Sequence, residues 1–301
     1  MGADMIPNIY HFITGLRQQD EPFHLMHYLC LASCLAVNQP ERVRLHCLNV
    51  PWGPWWERIR PFIEVVPVDP AAMMTFTYQD PNIARYSYAH QADFLRLQIL
   101  LKEGGIYADL DTLFLQPPPR EWFFEACVMG CERLDTKAGG DAEGSLCNAL
   151  IMAEPGALFI QRWLDAMPGC FDGSWSAHST FLPYRLSREH PALIRVEEEA
   201  SFFALDWTQA GIAALFEQKI DLPEAARSVH LWAHLWWEAA RRDFSNFSGN
   251  RLTPTYVRHA RTTYAMAASA HLPAGPGQSW LRYRAEWLAA RLTSFRWRSY
   301  K

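Results

Sequence analysis

The sequence lacks several things, and each absence closes off a class of protein. It has no basic surplus: 28 Lys and Arg stand against 32 Asp and Glu, a formal net charge of −4, whereas a general nucleic-acid binder carries a clear basic excess. It has no run of 18 apolar residues, so no segment reads as a transmembrane helix. Among its seven cysteines no C-x-x-C pair occurs, the number is odd and the spacings are wide, which argues against a disulfide framework. Cys30/Cys34 and Cys127/Cys131 are each four apart, a helical spacing that favours packing over metal binding. A reducing, intracellular compartment fits that usage. The opening "MGADMIPNIYHF" shows neither the basic nor the apolar region of a signal peptide. Ile6 also stands where a myristoylation motif wants Ser or Thr. The expectation is a soluble, cytoplasmic protein. Internal repeats and low-complexity tracts are missing too.

What is present is a globular composition. Half of the 301 residues are hydrophobic and a fifth are charged, enough for a substantial core in one large domain or two modest ones. The 13 Trp are many for this length. Clustered aromatics can form sugar or base platforms or fill a core, and both readings stay open.

Along the chain, "IPNIYHFITG" reads as a short apolar strand, and "EPFHLMHYLCLASCLAVNQP" as an apolar-periodic helix closed by Asn38-Gln39-Pro40. "RVRLHCLNV" alternates as a second strand, ending in a turn at "PWGPWW", and "IEVVPV" reads as a third. "SYAHQADFLRLQILLKEGG" carries Phe94, Leu97, Leu100 and Leu101 at helical spacing, and Gly104-Gly105 supplies a left-handed stop. "IYADLDTLFL" then alternates as one strand until "QPPP" stops it. Residues 120–145 are mixed, "LCNALIMAEPG" reads as another strand, and "ALFIQRWLDAM" as a helix. From 171 to 228 the signals weaken. The pattern predicts an α/β layer architecture with a mixed, mostly parallel sheet. After about residue 240 the character becomes linker-like and ends in "LRYRAEWLAARLTSFRWRSYK", an amphipathic basic helix. The division expected is a domain over 1–240 and an extension over 241–301.

Asp109 and Asp111 pose the chemical question. On a strand, residues i and i+2 share a face, roughly 6–7 Å apart. At an effective dielectric of about 20, two like charges about 6 Å apart repel by roughly 3 kcal/mol. A hard divalent cation between them removes that cost and keeps positions for water and phosphate. A solvated strand end with two incidental acids is the bland alternative. Upstream, Asp93 and Arg96 lie three apart on the preceding helix. They form an ion pair worth about 0.2–0.5 kcal/mol, or reach together toward a hydroxyl-rich or phosphorylated ligand.

The string "ADFLRLQILLKEGGIYADLD" resembles the sugar-binding segment of DXD glycosyltransferases of the GT-A fold. It is most similar to the family of yeast-type initiating mannosyltransferases, bacterial capsular and lipooligosaccharide transferases, and large clostridial glucosylating toxins. The family pattern is an Asp, two residues, an Arg, a few apolar residues, Gly-Gly-x-Tyr and Asp-x-Asp, and every element is here at matching spacing. The resemblance covers residues 85–118 and extends to 5–15 and 145–157; the opening strand departs at Thr14, where the family more often has Trp. It implies that Asp111 coordinates a metal and that Asp109 meets the ribose or donor sugar and the metal's water shell. Asp93 and Arg96 would bind the donor sugar's hydroxyls, with Gly105 and Tyr107 in the same donor-binding set. His11, Phe12 and Ile13 would border the nucleotide base, and Asn148 would touch donor sugar or acceptor.

"SVHLWAHLWW" holds His230 and His234, an H-x-x-x-H in which Leu231 replaces the Glu of a zinc protease. Related transferases have a C-terminal His-x-x-x-x-x-Trp whose His completes the metal shell or touches the diphosphate. His230 and Trp236 fit that spacing, while His234 reads as structural. Glu132, Asp135 and Asp141 form a loop that could touch an acceptor, although a solvated loop is the simpler account.

The function these features imply is a glycosyltransferase dependent on Mn2+ or Mg2+. It moves a sugar from a UDP- or GDP-sugar to a hydroxyl of a glycan, lipid-linked or protein acceptor, with retention, in polysaccharide or glycan biosynthesis. The basic tail can lie on an anionic membrane at the inner face, and a packed helix with a basic outer face fits equally. Two rivals remain at this stage: a non-catalytic nucleotide-sugar or glycan-binding protein, and a metal-dependent phosphoesterase.

Overall fold

A computed structural model of the chain describes residues 6–76, 78, 84, 86–135, 142–238 and 245–298; for residues 72 and 290–298 it describes the backbone alone. The order begins β1 (Ile9–Thr14), α1 (Leu25–Asn38), β2 (Arg42–Cys47), α2 (Pro54–Ile59), β3 (Glu64–Pro67), α3 (Ser87–Glu103), β4 (Gly105–Ala108), β5 (Thr112–Phe114). It continues with β6 (Cys127–Cys131), β7 (Leu146–Ala153), α4 (Leu158–Cys170), α5 (Leu182–Glu189), β8 (Arg195–Glu197), α6 (Glu199–Phe202), α7 (Gln209–Phe216), β9 (Ser228–His230). Four helices close it: α8 (Ala233–Trp236), α9 (Pro254–His259), α10 (Thr263–Ala268) and α11 (Trp280–Arg298). The turn expected at "PWGPWW" covers residues 51–53 and runs straight into the helix α2, where Pro54 occupies the first turn and no amide donor is required.

Among the described residues, seven strands form the main sheet in the order β3-β2-β1-β4-β7-β6-β8. β7 runs against its neighbours β4 and β6, and every other pairing in the sheet is parallel. The mixed, mostly parallel α/β layer read from the sequence is what the chain forms.

Strand alternation then sorts side chains into two cores. Tyr10, Phe12, Ile106, Ala108 and Met152 join one apolar cluster with α1, α2, α7, α9 and α10. Tyr107, Ile151, Cys127 and Met129 face the other way, against Phe94, Leu97 and Leu100 of α3 and the α4 and α5 side chains. Cys30 and Cys34 are packing residues on α1, whereas Cys127 and Cys131 sit on a strand; all seven cysteines are free thiols. The division drawn at 240/241 falls within 239–244, outside the described residues. Beyond it, Phe247, Leu252, Tyr256 and Tyr264 are buried in the same cluster as β1.

α3 ends where two glycines are sterically required. Gly104 has φ 65°, and a Cβ there would lie 2.6 Å from Pro155 Cδ. Gly105 has φ 101°, and its Cβ would meet the Ile9 carbonyl oxygen at 2.6 Å. The left-handed conformation and the close approach both exclude a side chain. The helix thus turns directly into β4 and delivers that strand beside β1.

The sheet interior also buries two imidazoles, His11 on β1 and His46 on β2. His11 Nδ1 lies 3.0 Å from His46 Nε2, and His11 Nε2 lies 3.0 Å from the Gly104 carbonyl. Burial pushes both below the usual histidine range, His46 to about 3, with His11 and Arg44 adding to the effect on His46. A lowered folded-state pKa means that the unfolded chain takes up the proton first, so this stabilisation is complete above about pH 6.5 and fades as pH falls toward about 3. The urea midpoint is therefore expected to fall through that window, with a shallower slope in His46→Gln. Equal slopes in the two proteins would overturn the assignment.

Candidate functional site

The strand expected over "IYADLDTLFL" is broken at its acidic centre. β4 ends at Ala108, residues 109–111 turn, and β5 leaves the main sheet to pair with β9. The Thr112 amide donates to the Asp109 carbonyl at 3.1 Å, closing the turn. Asp109 and Asp111 therefore do not share a strand face, as the period-2 pattern predicts; they meet because the chain reverses between two sheets.

The pairing of β5 with β9 brings the third member. Thr112 stands opposite His230 in that antiparallel ladder, and the Leu231 amide extends it to the Asp111 carbonyl at 2.8 Å. His230 Nε2 lies 3.0 Å from Asp111 Oδ1 and 3.8 Å from Asp109 Oδ2. Trp232 then adopts a left-handed conformation, φ 55°, held by its indole N–H donating to the Leu205 carbonyl at 2.9 Å. That reversal aims the Ala233 amide at Asp111 Oδ2, 2.8 Å away. His230 thus ends a strand and His234 sits on the short helix α8, so the two do not form a helical H-x-x-x-H pair.

Each acid has its own counter-charges. Asp109 Oδ1 accepts from the Tyr107 hydroxyl at 2.5 Å and lies 3.4 Å from Arg96 Nη1. Burial and the neighbouring Asp111 raise the Asp109 carboxyl above the usual range, against the opposing pull of Arg96, His230 and Tyr107. For Asp111, burial is outweighed by His230 and the Ala233 amide, which hold it well below that range. Burial would lower His230, but the two aspartates and Glu132 raise it.

Behind this turn lies a buried ion-pair network. Arg96 Nη2 is 2.9 Å from Asp93 Oδ1, and Arg96 Nη1 donates to the Asn148 carbonyl at 2.7 Å. The Asn148 side-chain amide donates to Asp93 Oδ1 at 2.7 Å, and His178 Nε2 lies 2.9 Å from Asp93 Oδ2. The Arg96 guanidinium rests over the Tyr107 ring, 4.5 Å from its centroid. Burial opposes the Asp93 charge, but Arg96 and His178 hold its carboxyl below the usual range. Asp93, Arg96 and Asn148 are thus brought together, paired mainly with one another. His178 is the member that sequence reasoning missed, because it lies in the weakly patterned segment after 171.

Several of the other expected site residues are enclosed by packing. His11 and Phe12 are buried, His11 bonded as above and Phe12 edge-on to Phe114, so neither borders an open cleft. Ile13 is half-buried and packs toward the α3 side of the sheet. Trp236 is enclosed by Phe216, Phe247 and Trp237 in the core, so its ring is not exposed to a ligand. Gly105 serves the helix-to-strand turn. Of the acidic loop, Glu132 accepts from the Ser145 hydroxyl at 2.6 Å, and Asp141 lies outside the described residues.

One oxygen or nitrogen from each of Asp109, Asp111 and His230 falls within 4.8 Å of the others. Two carboxylates and one imidazole make a donor set that suits a hard or borderline divalent cation such as Mg2+ or Mn2+. Three protein ligands leave coordination positions for water or phosphate oxygens. The residues present fit such an ion.

Residues 63–129 match the family described as glycosyltransferase sugar-binding region containing DXD motif. The chain is 32% identical over 212 residues to glucan organizing enzyme 1 of Cryptococcus neoformans var. grubii serotype A, covering 67% of this chain and 55% of the relative. The chain therefore spans about half the length of that relative. It is also 37% identical over 81 residues to subversion of eukaryotic traffic protein A of Legionella pneumophila, covering 27% of this chain and 12% of that protein. Among solved structures, the PaToxG glycosyltransferase aligns with a TM-score of 0.42 at 16% identity, over 62% of this chain and 71% of that one. The glycosyltransferase GlyE of Streptococcus pneumoniae TIGR4 aligns with a TM-score of 0.44 at 11% identity, over 74% and 54%.

Removing one member of a buried pair strands its partner. Asp93→Ala is expected to cost about 3–5 kcal/mol of stability, because the Arg96 charge is left buried and under-compensated. Urea denaturation measures it, and a loss below about 1 kcal/mol would show that Arg96 does not depend on Asp93.

Proposed function

We propose that this chain, which belongs through residues 63–129 to the DXD-motif glycosyltransferases, moves a sugar from a nucleoside-diphosphate donor to a hydroxyl acceptor with the aid of a divalent cation. The observation that carries the reading is the convergence of Asp109, Asp111 and His230 from two sheets onto one point. A turn that gathers two carboxylates and an imidazole has little purpose as packing, since like charges at this range repel by a few kcal/mol, on the order of 3.

The chain's residues divide the work. Asp111 and His230, whose side chains are 15% and 6% exposed, form the fixed floor of the cation site. Asp109, at 28%, is the more accessible carboxylate and the one placed to meet ligand. A cation bound there supplies the positive charge that offsets a departing nucleoside diphosphate. Tyr107 and Arg96 hold Asp109 from behind, and Asp93, Asn148 and His178 in turn fix Arg96. That support keeps the first-contact carboxylate in one orientation, which is what positioning a reacting sugar requires.

The finer features of the reading rest on the resemblance of residues 85–118. They are a UDP- or GDP-sugar as donor, Mn2+ or Mg2+ as the ion, and retention at the anomeric carbon. They also include a glycan, lipid-linked or protein hydroxyl as acceptor, polysaccharide or glycan biosynthesis as the setting, and the cytoplasm as the site of action.

The test is titration with Mn2+ and a panel of UDP- and GDP-sugars. A saturating ligand at 100 times its dissociation constant stabilises by about 2.7 kcal/mol, so a thermal upshift is expected in wild type and not in Asp111→Asn. Donor hydrolysis in that variant should fall by about 10²–10³-fold. Unchanged metal-dependent hydrolysis in Asp111→Asn would overturn the reading.

A further inference from the structure

Charge is divided very unevenly along this chain. Residues 245–301 contain nine Arg and Lys and one acid, Glu286, a local charge of +8 within a chain of formal net charge −4. Residues 1–244 accordingly carry −12. The basic segment is not a loose tail, because α9 and α10 pack into the main core and α11 packs on α9.

α11 turns one face inward and one outward. Tyr283, Glu286 and Trp287 are half-buried; Glu286 accepts from the Thr253 and Thr255 hydroxyls, and the Tyr283 ring lies 6.0 Å from that of His259. The opposite face presents Leu281, Arg284, Ala285 and Leu288, a stripe at helical spacing, with Leu281 75% and Leu288 49% exposed. Trp280, at the start of the helix, is 56% exposed, and the Arg284 guanidinium lies 5.5 Å from one of its ring centroids and 5.2 Å from one of Trp287. Beside Trp280 opens a cavity of about 300 Å³ lined by Arg258, His259, Arg261, Met266 and Ser269.

We infer that this face of α11, with the cationic cavity at its base, is a docking surface for an anionic phospholipid membrane. Two exposed leucines and the exposed Trp280, interleaved with Arg282 and Arg284, match the two-part chemistry of a bilayer surface. Apolar side chains enter the acyl boundary, while guanidinium groups meet phosphate. The indole of Trp280 suits the headgroup level, where a ring with one polar edge is most stable. The cavity gives a single lipid phosphate a place between Arg258 and Arg261. The acidic remainder of the chain is repelled by the same surface, so the charge division also orients the molecule on it. The inference stands apart from the sugar-transfer reading.

The experiment is co-sedimentation of the full chain with phosphatidylcholine vesicles, with and without phosphatidylglycerol. Binding is expected with the anionic vesicles alone, and it should weaken as salt rises. Arg284→Ala should weaken it about fivefold, the share of one surface arginine, and Leu281→Asp combined with Leu288→Asp should abolish it. Metal-dependent donor hydrolysis and thermal midpoint should stay unchanged in all of these, which separates lost docking from lost folding. Equal sedimentation with neutral and anionic vesicles, binding indifferent to the leucine replacements, or tighter binding to random-sequence RNA at the same salt would each overturn the inference.

Discussion

Two carboxylates held two residues apart must be kept from repelling each other, and the rest of the molecule is arranged around that requirement. The turn at 109–111 sends each acid toward a different set of counter-charges. Asp109 is answered from the main sheet and α3, by Tyr107 and Arg96. Asp111 is answered from the small sheet and α8, by His230 and the Ala233 amide. His230 stands between the two sets, 3.0 Å from Asp111 Oδ1 and 3.8 Å from Asp109 Oδ2. The main sheet, the β5–β9 ribbon and the left-handed Trp232 are thus parts of one electrostatic arrangement.

The support behind Asp109 is deeper than it first appears. Arg96 is buried and would be costly without Asp93, and Asp93 would be costly without Arg96, Asn148 and His178. Apart from His178 Nδ1, which is buried without a partner, the polar groups in this chain of contacts satisfy one another. Such closed networks hold side chains in one geometry, and here the geometry held is that of the more accessible acid. The polar interior is thereby spent on positioning as much as on stability.

How much of this was legible in the sequence depended on how local the determinant was. α1, α3, β1 and β7 were readable because their apolar periods and their stops, Gln39 and Gly104-Gly105, lie within a few residues. The membership of Asp93, Arg96, Asp109 and Asp111 in one region was readable for the same reason. The break after Ala108 was not. Alternation continues through "YADLDTLF", and nothing nearby reveals that β5 takes its partner from β9 rather than from the main sheet. β6 lay hidden in a stretch of mixed composition, and His178 reached Asp93 across 85 positions of sequence. The burial of His11 and Trp236 follows from tertiary neighbours that no local pattern encodes.

The contact between Asp111 and His230 spans 119 positions, and this sets how much of the chain the site needs. The segment that carries the family signature, 63–129, holds both aspartates but lacks the imidazole. The imidazole joins them only through the pairing of β5 with β9. The three-residue donor set is consequently a property of the finished fold rather than of its signature segment. An ion held by all three residues would act as a clasp that favours the last strand staying in place.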